Sequence, residues 1–465
     1  MKPKLYSVIM LIVLTLGLPL SVFLLGRETS FFNKAYFGLF GSKANLTVNL
    51  SSQVAVNSYP WSNFSQGGEE KDGMLTEVIT EMRLLEPTYI RVDHIYDFYN
   101  TVRMKPDGGL EFNWIGLDRE ISAITQSGAI PFISLSYMPS VISSGSEVDI
   151  PKDWSLWKEV VEQTINHISG KNELAIEGVY YEVWNEPDLF GKFELFGEKN
   201  YLMLYKYAAE GAGETQDVYP FKFGGPAVAS VNKEWLTGFI DFITRYGVRL
   251  DFYSWHKYDK DVNAFEDSMV KIKEWLQNYP DYNDIELIIS EYGYDSEVNK
   301  DNDEAISAIH NIAGNALLFQ KLDKVFHFEV KDGPGDKKYW GRWGILTHEK
   351  FGSPVKKPRY ESILFLNKLK GNVFPVFGQG TWVKSIATTR AGVIRLLITN
   401  YDPSGKHFEN VPVHFVKIPY KDFIIRRIGF RGKTVESEVS ITSDNWDTSQ
   451  FMEPNTAVIL EIEPK

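Results

Sequence analysis

The 465-residue chain has no cysteine. That excludes disulfides, cysteine nucleophiles and thiolate zinc sites. It leaves the compartment open, since a secreted chain can do without disulfides. Positive charge is scarce: 49 Lys and Arg stand against 61 Asp and Glu, for a formal net charge of −12. No basic run of useful length is present, which argues against a nucleic-acid partner. No glycine-rich nucleotide turn follows an early apolar strand, and no fixed-period repeat points to a solenoid. No His/carboxylate spacing suggests a metal centre, so no metal and no cofactor is expected. Nothing marks an obligate protein partner. What is present is ordinary for a folded chain, with 43% hydrophobic and 24% charged residues. The length allows one large domain or two to three smaller ones. Aromatic residues make up 14%, including 12 Trp.

Leu5 to Leu25 is an almost unbroken apolar run of about twenty residues, the length a bilayer core requires. Lys2 and Lys4 precede it, which favours a cytoplasmic N-terminus. Residues 1–30 therefore read as an N-terminal transmembrane helix, a membrane anchor that leaves the rest outside the cytoplasm. The alternative is a cleaved signal peptide and a secreted product. Gly26, Arg27 and Glu28 follow the run directly and offer no A-x-A cleavage site. A membrane-fraction blot of full-length protein separates the two.

From residue 44 to 370 short apolar strands alternate with amphipathic helices. The strand candidates are Leu46–Leu50, Tyr89–Val92, Pro131–Leu135, Val179–Trp184, Phe221–Gly225, Phe252–Trp255, Glu286–Ser290 and Val325–Glu329, in the manner of strands buried on both faces. Between them, Trp154–Ile168 puts Trp157, Val160, Val161, Ile165 and Ile168 on one face, and Met74–Leu85, Lys233–Tyr246, Ala264–Leu276 and Glu304–Leu322 follow the same period. Asp153, Asn232 and Asp301 stand where N-caps belong. Eight strands at a spacing of about forty residues predict a (β/α)8 TIM barrel. After Gly371 the helical period stops and strand-like segments alternate with Gly, Pro, Asn and Asp turns. Residues 371–465 read as a small C-terminal antiparallel β-sandwich.

The strongest local signal is Tyr180-Tyr181-Glu182-Val183-Trp184-Asn185-Glu186-Pro187-Asp188. Pro187 cannot continue a sheet ladder, so the fourth strand stops there. That leaves Glu186 at the carboxyl end of its strand, where barrels keep their chemistry. Strict alternation puts Asn185 and Glu186 on opposite faces, so a shared site needs a distortion near Trp184. Glu291 ends the seventh strand in Leu287-Ile288-Ile289-Ser290-Glu291-Tyr292-Gly293. Strands four and seven face each other across a barrel mouth. Two carboxylates held at different pKa values are the equipment of glycoside hydrolysis, one protonated to assist the leaving group and one ionised.

With these residues in place the chain resembles the clan A glycoside hydrolases, and within them family 39, which holds β-xylosidases, α-L-iduronidases and exopolysaccharide hydrolases. Asn113-Trp114 with Leu117-Asp118, Pro131-Phe132-Ile133 with Met138-Pro139, Phe221 to Ala227, and Asp251 to Tyr258 carry the likeness. The resemblance implies a retaining glycoside hydrolase acting on an oligo- or polysaccharide of the cell envelope or exterior. Glu186 is then the general acid/base, Glu291 the nucleophile, and Asn185 a hydrogen-bond partner of the sugar 2-hydroxyl. Retention calls for carboxyl groups about 5–5.5 Å apart. The alternatives are a non-catalytic carbohydrate-binding barrel and a transglycosidase on the same site.

A supporting shell surrounds the pair. Arg91 can hold Glu291 ionised, and His94 can meet sugar hydroxyls as the family's strand-two histidine does. His256 and Tyr258 share a face at the end of strand six, and either can orient Glu291 or touch the sugar. Trp340 and Trp343, after strand eight, offer one aromatic platform between them, with Tyr137 a weaker candidate. Lys331 and Arg342 are the cations available should the sugar carry a carboxylate.

Overall fold

In the computed structural model, which describes residues 41–465 except 57, 69 and 72, eight parallel strands close into a barrel. They are β1 (Asn63–Gln66), β2 (Tyr89–Val92), β3 (Ile130–Leu135), β4 (Tyr180–Val183), β5 (Lys222–Val228), β6 (Phe252–Tyr258), β7 (Glu286–Gly293) and β8 (Lys324–Phe328). One main helix follows each strand: α1 (Ile79–Leu84), α2 (Ile115–Gln126), α3 (Trp154–Ser169), α4 (Tyr201–Glu214), α5 (Lys233–Tyr246), α6 (Asn263–Leu276), α7 (Ala305–Leu318) and α8 (Pro358–Asn367). The expected apolar stripe of α3 is wholly buried against the barrel. Asp153 and Asn232 cap α3 and α5 through their side chains. Asp301 instead lies inside a short 3-10 turn, Lys300–Asp303, which Asn299 caps.

The first strand was expected at Leu46–Leu50 and lies elsewhere. Leu46–Asn49 joins the C-terminal unit, pairing in parallel with Glu409–Val416 and antiparallel with Val376–Phe377. Its burial alternates, Leu46 and Val48 inward and Thr47 and Asn49 half out, as befits a sheet with one covered face. The barrel's own elements therefore begin near Pro60, not at residue 44. β1 escaped notice because Asn63, Ser65 and Gln66 are polar; they are buried because they serve the polar interior of the barrel.

The C-terminal unit is a sandwich of a six-stranded and a four-stranded sheet. It is antiparallel except for the pair made by Leu46–Asn49. α7 is buried along nearly its whole length because strands Val383–Arg390 and Val393–Asn400 pack on it opposite the barrel. Tyr401 Oη donates to the Lys260 carbonyl at 2.7 Å, tying the sandwich to the loop after β6. The Leu5–Leu25 run lies outside the described residues; among those described, no helix is long and apolar enough to cross a membrane.

The barrel interior is layered. Phe132, Tyr180, Phe252, Ile288 and Phe326 fill the lower layer with apolar rings and side chains. Above them the inward positions turn polar, with Ser65, Arg91, Ser134, Glu182 and Ser254 fully buried. A dry apolar floor under buried charge lowers the local dielectric and strengthens each pairing above it.

Candidate active site

The carboxyl rim of the barrel surrounds a cavity of about 1000 Å³, lined in part by His94, Tyr137, Asn185, Glu186, Tyr258 and Glu291. β4 stops at Val183, and the chain then takes left-handed backbone at Trp184 (φ 76) and Glu186 (φ 46). This is the distortion the sequence required. It sends the Trp184 indole outward against Trp157 and Phe193, while Asn185 and Glu186 both reach the cavity. Such backbone costs on the order of 1–3 kcal/mol per residue and needs support from its surroundings. Ser134 Oγ donates to the Trp184 carbonyl at 2.8 Å, and the Glu186 N–H donates to the Ala227 carbonyl at 3.0 Å. Across the mouth, the pairing of β7 with β6 shifts register between Ile289 and Glu291, which turns Glu291 inward. An oxygen of Glu186, an oxygen of Glu291 and a ring nitrogen of His256 all lie within 4.8 Å of one another.

Arg91 organises the base of the pair. Its Nε donates to Glu182 Oε2 at 2.7 Å, Nη1 to Glu291 Oε1 at 2.9 Å and Nη2 to Asn185 Oδ1 at 2.7 Å. Burial opposes the guanidinium charge, but Glu182, Glu291 and Asp93 hold it firmly on. Tyr258 Oη donates to Glu291 Oε2 at 2.7 Å. His256 sits nearer the other carboxyl, with Nδ1 2.8 Å from Glu186 Oε1 and 3.4 Å from Glu291 Oε2. Burial lowers its pKa, against the pull of the Glu291 carboxylate.

Burial lifts Glu186 to about 7, with the Arg91 charge pulling against the shift and Asp93 adding to it. Burial raises Glu291 as well, while His256 and Arg91 draw it back. The direct donors Arg91 and Tyr258 stabilise the charged form of Glu291. Below about pH 7 Glu186 carries a proton, while two donors hold the Glu291 carboxyl group beside it, which suits proton donation and nucleophilic attack at adjacent points.

Removing the Arg91 charge leaves Glu182, fully buried, without a counter-ion. Arg91→Met is expected to destabilise the fold by about 3–5 kcal/mol, read as a lower urea midpoint at pH 7. Glu182→Gln in the same chain should recover part of that loss.

The remaining candidates divide. His94 lines the cavity, with Nδ1 2.8 Å from Asp97 Oδ2 and its ring stacked on Phe98. Tyr137 lines it too, and its hydroxyl accepts from Asn185 Nδ2 at 2.9 Å. Trp343 reaches the cavity; Trp340 is not among its lining residues and lies against Gly335 and the Arg342 guanidinium. The same guanidinium stacks on Trp343, 3.7 Å from a ring centroid. Lys331 is buried and ion-paired to Glu70 and Glu349, not turned to the cavity. Sequence reasoning passed over Glu182, fully buried against Arg91, and the loop residues Leu189 and Phe190, which line the cavity. A charged residue at an inward position of an apolar strand was the available signal for Glu182; Leu189 and Phe190 carried none.

Among the described residues, two groups hold carboxylate and imidazole atoms close enough to share a cation, Glu186–His256–Glu291 and Glu70–His348–Glu349. In the first, Arg91 and Tyr258 already hold Glu291. In the second, the Lys331 ammonium supplies the positive charge.

A family model described as glycosyl hydrolases family 39 matches residues 80–397. The β-xylosidase of Caldicellulosiruptor saccharolyticus is 28% identical over 328 residues, 64% of this chain and 65% of that protein. The β-xylosidase of Geobacillus stearothermophilus is 30% identical over 158 residues, 32% of this chain and 31% of that protein. The chain thus spans less than two thirds of the length of either relative. Among solved structures, the GH39 enzyme from Xanthomonas axonopodis pv. citri has the same fold, with a TM-score of 0.73 at 18% identity over 91% of this chain and 98% of its own.

Proposed function

Because the chain belongs to glycosyl hydrolase family 39, we propose that it is a retaining glycosidase acting on β-xylosides, with Glu291 as nucleophile and Glu186 as acid/base. The observation that carries the reading is the approach of the two carboxyl groups, oxygens within 4.8 Å at the ends of β4 and β7. So close an approach supports direct attack on the sugar, the arrangement of a retaining pair. A Glu291 oxygen bonds to the anomeric carbon as the glycosidic C–O bond breaks, and Glu186 gives its proton to the departing oxygen. Glu186, now ionised, then takes a proton from water as that water displaces Glu291. Two inversions give net retention. Asn185, held by Arg91 and Tyr137, is placed to meet the 2-hydroxyl, a contact that helps only as far as it tightens in the transition state. The β-xyloside assignment is supported by the names of the two curated relatives.

The test is covalent trapping. A 2-deoxy-2-fluoro-β-xyloside with a dinitrophenolate leaving group slows both steps but the second more. The expected result is stoichiometric inactivation and a mass shift of one fluoroxylosyl unit on the peptide containing Glu291. Labelling of another residue, or none with activity intact, removes the proposed roles.

A further inference from the structure

The loop after β4 carries two apolar side chains that the chemistry above does not use. Leu189 and Phe190 are 55% and 45% exposed, yet both line the cavity. Their backbone is not loose. The N–H groups of Leu189 and Phe190 donate to the carbonyl of Glu186 itself, at 3.0 and 2.8 Å. Phe193 N–H donates to the Pro187 carbonyl at 2.8 Å, and Lys199 Nζ donates to the Gly191 carbonyl at 3.1 Å while pairing with Asp149 of the loop after β3. The ring of Phe190 meets Tyr137 edge-on at 6.3 Å. A fixed turn thus holds exposed apolar surface in the cavity close to the acid, an arrangement that costs free energy until a ligand covers it.

Reaction geometry says which part of the ligand that is. A proton donor stands beside the glycosidic oxygen, and the group that leaves lies beyond that oxygen, away from the nucleophile. Surface bolted to the donor's own peptide therefore faces the leaving group. The cavity, at about 1000 Å³, holds far more than one pyranose ring. We propose that Phe190, flanked by Leu189, stacks on the C–H face of a second sugar unit, so that oligosaccharides and not simple glycosides are the favoured substrates. The inference rests on the reading of Glu186 as proton donor and goes beyond it by assigning the leaving-group side.

The experiment compares two substrates that share the transferred sugar. β-1,4-xylobiose fills the leaving-group side; β-xylosyl fluoride leaves it empty. For Phe190→Ala the ratio of kcat/KM for xylobiose to that for the fluoride should fall about three- to tenfold relative to wild type, and Phe190→Tyr should restore it. An unchanged ratio, including equal losses on both substrates, overturns the subsite. Wild-type enzyme inert on both substrates overturns the β-xyloside reading, and this inference with it.

Discussion

Glu291→Gly is expected to lower kcat/KM on an aryl β-xyloside by roughly 10⁴–10⁶-fold. The size follows from the position: Arg91 and Tyr258 both donate to the Glu291 carboxylate, one to each oxygen. The substitution also leaves a void next to two donors, large enough for a small anion. Added azide should restore turnover, with nitrogen bonding to the anomeric carbon as the aryl oxygen departs with the proton from Glu186. One displacement replaces two, so the product is the α-xylosyl azide. A variant that keeps a tenth of wild-type activity, or yields the β-azide, would show that another group attacks the sugar.

Glu186→Gln should instead give a loss that depends on the leaving group. With a sugar as leaving group kcat/KM falls about 10³–10⁴-fold, because the oxygen must leave as an alkoxide. With dinitrophenolate, stable without a proton, the same ratio falls by less than about tenfold. The pH profile carries an independent signature. The proposed acid role needs Glu186 protonated, and burial raises its pKa to about 7. Wild-type kcat/KM therefore declines as pH rises through about 7, and glutamine, which has no proton to lose, removes that limb. A wild-type profile flat from pH 6 to 9 would assign the acid role elsewhere.

Much of the barrel was legible because β2 to β8 are apolar and evenly spaced, and because α3 and α5 show both their stripes and their caps. β1 was not, since a strand that supplies polar groups to the interior lacks the hydrophobic signal on which strand recognition depends. Leu46–Asn49 took its place in the reading: its composition fits either sheet, and only long-range pairing decides. At the site, Pro187 and the alternation rule together required the break at Trp184. The partner choices were beyond the sequence. His256 and Tyr258 lie two residues apart on one strand, yet one approaches Glu186 and the other donates to Glu291. Trp340 and Trp343 differ in exposure to the cavity only through the path of a loop.

The strand Leu46–Asn49 and the strand Thr456–Pro464 lie some four hundred positions apart, and each sits between two partners in its own sheet of the sandwich. Synthesis delivers the first of them before any barrel strand and the second after all eight. The earlier strand must wait for its partners while the whole α/β cylinder is made, and the six-stranded sheet stays split in two until Thr456–Pro464 joins it. A truncation at the apparent junction near Gly371 would not free an independent catalytic half; it would strand a sticky edge on one fragment and open a gap in the other.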